Sequence, residues 1–315
     1  MFVFIHSHNI EMNRIIWNIV MKQNIKVLMF LYVFFASEII FSGDRTQQAV
    51  VRNQEEKKQL DLLSAIVVGG VAGSGEVLFP GQILSYRMNR KITREPFVWK
   101  NCYKGGFANT AAQFPITATQ KVIESKASQS LEHYQESHLS FRQKMVISFL
   151  AGVGGALIET PSNAIQLYLQ SSANNEKSNY QAFKKIGFRN GFRGFSANAC
   201  MKEGPFAIGY QVLAPQGTKI AKSCLDSDKT SELVGGVSAG VLTAFFTQPG
   251  AVIRNEMQKG SCYKEYATLR STIYSMYRKE ELEAFYKGFV DRGIRIAIAI
   301  PLYAKYIKII ENMIH

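Results

Sequence analysis

The stretch VGGVSAGVLTAFFTQPGAVIRNEMQ, residues 234–258, decides the fold because the chain repeats it twice more. The related stretches are FLAGVGGALIETPSNAIQLYLQ, residues 149–170, and VVGGVAGSGEVLFPGQILSYRMN, residues 67–89. Their prolines, Pro80, Pro161 and Pro249, fall at intervals of 81 and 88 residues. Each stretch leads to an aromatic-basic-glycine step: Tyr103-Lys104-Gly105, Phe192-Arg193-Gly194 and Tyr286-Lys287-Gly288. A repeat of this length constrains the architecture before any single residue does.

Each proline closes an apolar run rich in small residues. Residues 62–79 contain one charge, Glu76; residues 145–160 contain one, Glu159; residues 233–248 contain none. These lengths approach the roughly 17–25 residues that cross a bilayer. A second run follows each step. Residues 105–120 are uncharged, residues 195–214 carry only Lys202 and Glu203, and residues 289–310 carry several charges. The pattern predicts an all-α membrane protein with six transmembrane helices in three tandem pseudo-symmetric repeats. The repeats span residues 61–137, 138–228 and 229–315, behind a leader and linker at 1–60.

At 47% hydrophobic and 19% charged residues, the chain is too polar for a bundle with lipid on every side. Helices that line a water-filled cavity reconcile the two, because their inner faces stay polar. Gly69, Gly70 and Gly73, then Gly152, Gly154 and Gly155, then Gly235, Gly236 and Gly240 let helix backbones approach closely. Glycine this dense disfavours a soluble helical repeat, since it weakens helices in water.

These motifs resemble the mitochondrial carrier family, over roughly residues 61–314. In that family an odd-numbered helix ends in Pro-x-[Asp/Glu]-x-x-[Lys/Arg], usually with a Gln further on. A short helix follows, and the even-numbered helix begins near an aromatic-[Lys/Arg]-Gly step. The resemblance implies a membrane transporter, not an enzyme, working by alternating access across the mitochondrial inner membrane. It implies antiport of one small charged solute (amino acid, carboxylate or nucleotide-like) near the bilayer centre, between gates that close in turn. Pro80, Pro161 and Pro249 would kink the odd helices, since proline removes a backbone hydrogen bond and bends a helix. It also implies a monomer and bound membrane lipid, cardiolipin above all.

The gate positions depart from the family. Gln82 and Ser85 replace the acid and base after Pro80, Asn163 and Gln166 follow Pro161, and after Pro249 only the base, Arg254, is kept. No complete ion pair is expected from these positions. Hydrogen bonds among Gln82, Asn163, Gln166 and Arg254 would stand in, without charge-assisted strength. The brace position nine residues past each proline is better kept, as Asn89, Gln170 and Gln258. The short helices are unequal. Only the third repeat has room for a full amphipathic segment, at 268–279, with the family's acid, Glu280, before the step. The first repeat is expected to have lost most of its short helix.

Family solute contacts lie about two turns into each even helix. Counting seven or eight residues past the step glycine gives Ala112 and Gln113, Met201 and Lys202, and Arg295. Aligning Pro115 with Pro205 instead makes the second pair Lys202 and Glu203. Ionisable groups at membrane depth are costly and default to functional roles. The substrate-binding candidates are therefore Arg295, Lys202, Glu203 and Gln113. Lys202 and Glu203 are expected to point about 100° apart on a helix and to need different partners. Arg292 reads as an interfacial arginine at the helix entrance.

Residues 27–36 form a ten-residue apolar run behind Lys22 and Lys26. That resembles a secretory h-region more than a membrane span. Residues 44–58 read as a polar linker. A seventh helix, a removed signal or a later start remain open. The net charge of +13 points to anionic membrane lipid; nucleic acid is disfavoured because no recognition motif accompanies the charge. Cys102, Cys200, Cys224 and Cys262 stand far apart and the histidines show no ligand spacing, so no metal or cofactor is expected. The alternative to transport is a carrier-fold membrane adaptor or anchor that moves no solute, exported to another cell's organelle membranes. The missing gate charges and the leader favour that alternative.

Overall fold

The computed structural model describes residues 81–135, 139–171, 174, 178–225, 227–259 and 264–314. The leader at 1–60, the first apolar run and Pro80 lie outside the described residues. Every regular element among the described residues is helical. In chain order these are α1 (Gln82–Thr93), α2 (Gly106–Gln135), α3 (Phe141–Gln170), α4 (Asn179–Ile186) and α5 (Phe188–Gly191). Next comes α6, a continuous run of five segments: Phe195–Ala197, Asn198–Glu203, Gly204–Ile208, Gly209–Leu213 and Ala214–Cys224. The last are α7 (Asp228–Lys259), α8 (Leu269–Glu280) and α9 (Phe289–Ile314).

Pro161 lies inside α3 and Pro249 inside α7, so both helices continue past the proline. The step glycines have a common local geometry. Gly105, Gly194 and Gly288 have φ of +69°, +80° and +71°, a conformation open to glycine at no steric cost. Each turns the chain into the next long helix. A β-carbon at Gly105 would touch the Gln166 backbone at 3.1 Å, and one at Gly194 would touch Arg254 Cα at 3.2 Å. Gln166 and Arg254 both lie five residues past their prolines, so two repeats join their elements at the same place.

α2 packs along α3, α3 against α6, α6 against α7, and α7 against α9. α9 in turn meets α1, so the last helix returns to the first described one. The interior is unusually polar. Gln82, Asn89, Gln120, Asn163, Gln166, Gln170, Arg254, Asn255 and Arg292 are all buried. The outward faces are apolar instead: Val146, Leu150 and Leu157 on α3, and Val290, Ile294 and Ile298 on α9, are exposed at helical spacing. In water such a distribution would be costly. Among the described residues, two helices, α3 and α7, contain an 18-residue window apolar enough to cross a bilayer, with mean hydropathy 1.4 and 1.3.

The connections differ from the sequence expectation in one repeat. The first carries only the 3₁₀ turn Trp99–Asn101. The third carries α8, whose N-cap Thr268 accepts from Ser271 N at 3.2 Å in a reciprocal capping box. The second also forms a helix, the eight-residue α4, which a count of available room did not anticipate. Its Lys184 and Lys185 lie in the last turn, where cations suit the helix dipole. Thr268→Ala should cost about 1 kcal/mol, the usual loss for an N-cap hydroxyl; thermal unfolding in detergent measures it.

Candidate functional site: a charged cavity between the helices

α1, α2, α3, α6, α7 and α9 all contribute to one cavity of about 940 Å³, its open mouth included. Gln113, Lys202, Glu203 and Arg295 line it, as do Asn163, Gln166 and Arg254. Gln82 lies behind Gln166, which donates to Gln82 Oε1 at 3.4 Å. Gln170 and Gln258 are joined to the wall through hydrogen bonds. The second repeat follows the proline alignment: Lys202 and Glu203 face the cavity, whereas Met201 packs against the apolar cluster around Val252 and Ile253.

Lys202 and Glu203 occupy a π-helical segment of α6, a form that often marks functional positions. The wider turn reduces the angle between successive residues. Each of these neighbours has a partner of its own, and the two also meet, Lys202 Nζ donating to Glu203 Oε1 at 2.5 Å. Lys202 also bonds Glu159 Oε1. Gln120 donates to Glu203 Oε2 at 3.2 Å and accepts from the Tyr210 hydroxyl at 3.0 Å.

One end of the cavity is bordered by a belt of amides around Arg254. This guanidinium donates to Glu159 Oε1 at 2.9 Å, Asn198 Oδ1 at 2.9 Å, Asn163 Oδ1 at 3.0 Å and Asn255 Oδ1 at 3.1 Å. Asn163 donates to Asn255 Oδ1 at 3.2 Å and to Gln258 Oε1 at 2.6 Å. Asn255 donates to Asn89 Oδ1 at 3.1 Å, and Asn89 to Gln170 Oε1 at 3.1 Å. Gln258 donates to the Thr160 carbonyl at 3.0 Å. The belt thus ties α1, α3 and α7 together.

Two residues correct the sequence reading. The belt does contain an ion pair, but its carboxylate is Glu159, two residues before Pro161 rather than two after it. A motif search running only downstream of the prolines passes over it. The available signal was a single acid in an otherwise uncharged run. Arg292 is not interfacial: it is 4% exposed, lines the cavity, and donates to Thr247 Oγ1 at 2.8 Å. It lies three residues before Arg295, hence on the same helix face. Arg295 itself donates to Ser85 Oγ at 2.7 Å. The adjacent Asp291 is also buried, paired with Arg87 at 3.3 Å and Lys91 at 2.5 Å.

No group of His, Cys, Asp and Glu among the described residues forms a metal-binding cluster. Cys102, Cys200 and Cys224 are free thiols.

A polar, charged cavity walled by helices with apolar outer faces is the geometry of a membrane solute carrier, and comparison with known proteins leads the same way. Residues 227–313 match the family described as mitochondrial carrier protein. The chain is 26% identical over 264 residues to S-adenosylmethionine carrier 1, chloroplastic/mitochondrial, of Arabidopsis thaliana, covering 80% of each chain. It is 22% identical over 296 residues to the tricarboxylate transporter FUM11 of Gibberella moniliformis, covering 84% of this chain and 94% of that one. It is 26% identical over 182 residues to the mitochondrial glycine transporter of Xenopus laevis, covering 54% of this chain and 59% of the other. The chain is thus similar to the mitochondrial carrier family over its third repeat, and to named transporters over most of its length.

Proposed function

We propose that this protein is a six-helix transporter of the mitochondrial inner membrane, exchanging a small charged metabolite by alternating access. The observation that carries the reading is the inversion of polarity: charged and amide side chains converge on an internal cavity while the helices turn apolar faces outward. The three repeats, 61–137, 138–228 and 229–315, would each supply one odd and one even helix. Lys202, Glu203, Gln113 and Arg295 would contact solute. Gln82, Asn163, Gln166, Arg254, Gln170 and Gln258 would form the closing gate. Exposed Trp99, Tyr103 and Tyr180 suit the headgroup level of a bilayer, where amphipathic aromatic rings collect. The basic chain would hold anionic lipid such as cardiolipin and work as a monomer.

The Arg254–Glu159 pair bears on the alternative reading. A carrier-fold adaptor with no transport role has no need of a charge-assisted closure, and the Arg254–Glu159 pair would serve as one at shifted positions. Purified protein in liposomes, offered radiolabelled S-adenosylmethionine, citrate, glycine and nucleotides, tests the proposal. Saturable uptake that requires internal solute is expected. A correctly inserted protein that moves none of them would replace the transporter reading with the adaptor.

A further inference from the structure

The hydrogen bonds of the cavity divide its charged groups into those already committed and those with capacity to spare. Lys202 Nζ is held between Glu159 and Glu203. Glu203 accepts from both Lys202 and Gln120. All three guanidinium nitrogens of Arg254 donate within the belt. The buried polar atoms at the wall with no hydrogen-bond partner include Glu159 Oε2, an acceptor, and Arg292 Nη1, a donor. They belong to different helices, α3 and α9. A buried charged group with an open valence is costly and calls for a partner.

We propose that the cavity takes a zwitterionic, amino-acid-like solute, its cationic group on Glu159 and its anionic group on Arg292; this rests on the transporter reading above. Such a solute brings a group of the matching charge for each of these two atoms. A purely anionic solute leaves Glu159 Oε2 unsatisfied and places like charges together. A purely cationic one does the same at Arg292, with Arg295 on the same face. Placing both charged groups correctly is a demanding recognition problem, and a site built to bond a polar group rejects analogues that lack it. The same Glu159 carboxylate also accepts from Arg254 through its other oxygen. A cation arriving at Oε2 therefore shares that carboxylate's charge with Arg254 and links occupancy to the belt.

The test uses the full chain, in detergent for thermal-shift binding and in liposomes for uptake. The probes are the twenty protein amino acids and S-adenosylmethionine, each compared with its des-amino and decarboxylated analogues. At least one zwitterion should bind, with both analogues at least tenfold weaker. Glu159→Gln should bring that zwitterion down to the affinity of its des-amino analogue and leave the analogue unchanged. Arg292→Gln should do the same with respect to the decarboxylated amine. A des-amino acid that binds as tightly as its parent overturns the inference. So does a variant that weakens parent and analogue equally. The analogue comparison on the unaltered chain stands even if a variant misfolds. If only purely anionic solutes are taken up, this inference fails and the transporter stands. If no solute of any class binds or moves, both fail.

Discussion

Arg254→Met should destabilise the protein by about 3–5 kcal/mol, the usual cost of removing one partner from a buried ion pair. The methionine keeps the length and apolar stem of the side chain, so the loss reports the guanidinium. Arg254 is 2% exposed and donates to four side chains on α3, α6 and α7. Its removal leaves Asn198 Oδ1 without a donor from this group and Asn163 Oδ1 likewise. Glu159 keeps Lys202 as its cationic partner, which it shares with Glu203. For a chain of this size the unfolding midpoint should fall on the order of 10 °C. Arg254→Lys should fall by less, because one ammonium keeps the charge but cannot occupy the fork of acceptors. The double change Arg254→Met with Glu159→Gln should recover part of the loss, since the buried carboxylate goes with its cation. A midpoint for Arg254→Met within 2 °C of the parent would mean that the belt is not an energetic unit.

The prolines and step glycines were legible because each answers a backbone requirement that few residues meet. A positive φ before a helix selects glycine, and three such glycines at similar spacing announce three similar units. Counting two turns from those glycines, the depth that the family resemblance implies, led to Lys202 and Arg295. The count was ambiguous by one residue in the second repeat, and the π-helical turns of α6 are the kind of irregularity that shifts such a register. Glu159 was not legible from the gate motif. A carboxylate before the proline and one after it can reach the same arginine once the helices pack, and sequence spacing cannot say which does. Arg292 was misplaced because distance from the helix start was used as depth. Its three-residue spacing from Arg295 placed both on one face, which was the better guide.

Gly152→Val should separate α3 from α6 and abolish the cavity geometry, while Gly154→Ala, two residues away, should be tolerated. The difference lies in what each glycine faces. A β-carbon at Gly152 would lie 2.2 Å from the Glu203 carbonyl oxygen, 2.6 Å from its carbon and 2.7 Å from Gly204 Cα, all backbone atoms of α6. Those atoms move only if the whole helix moves. The contact is close on both sides: a β-carbon at Gly204 would lie 2.5 Å from the Phe149 ring of α3. At Gly154 the nearest atom is Ile123 Cδ1 at 2.4 Å, the far end of a flexible side chain that can rotate away. Overpacking a close contact costs about 1–3 kcal/mol and sometimes more. Valine adds two further carbons against an unyielding backbone, so the upper end applies at Gly152. Displacing α6 there also moves Glu203 from Lys202 and Gln120, so thermal-shift binding of any solute should be lost along with stability. Gly154→Ala offsets its small clash with a gain of up to about 1 kcal/mol in helix propensity. Equal losses in midpoint at the two positions would show that small size is needed throughout α3. The expected inequality locates the need at the α3–α6 crossing, where the backbone of one helix touches the residues that line the cavity from the other.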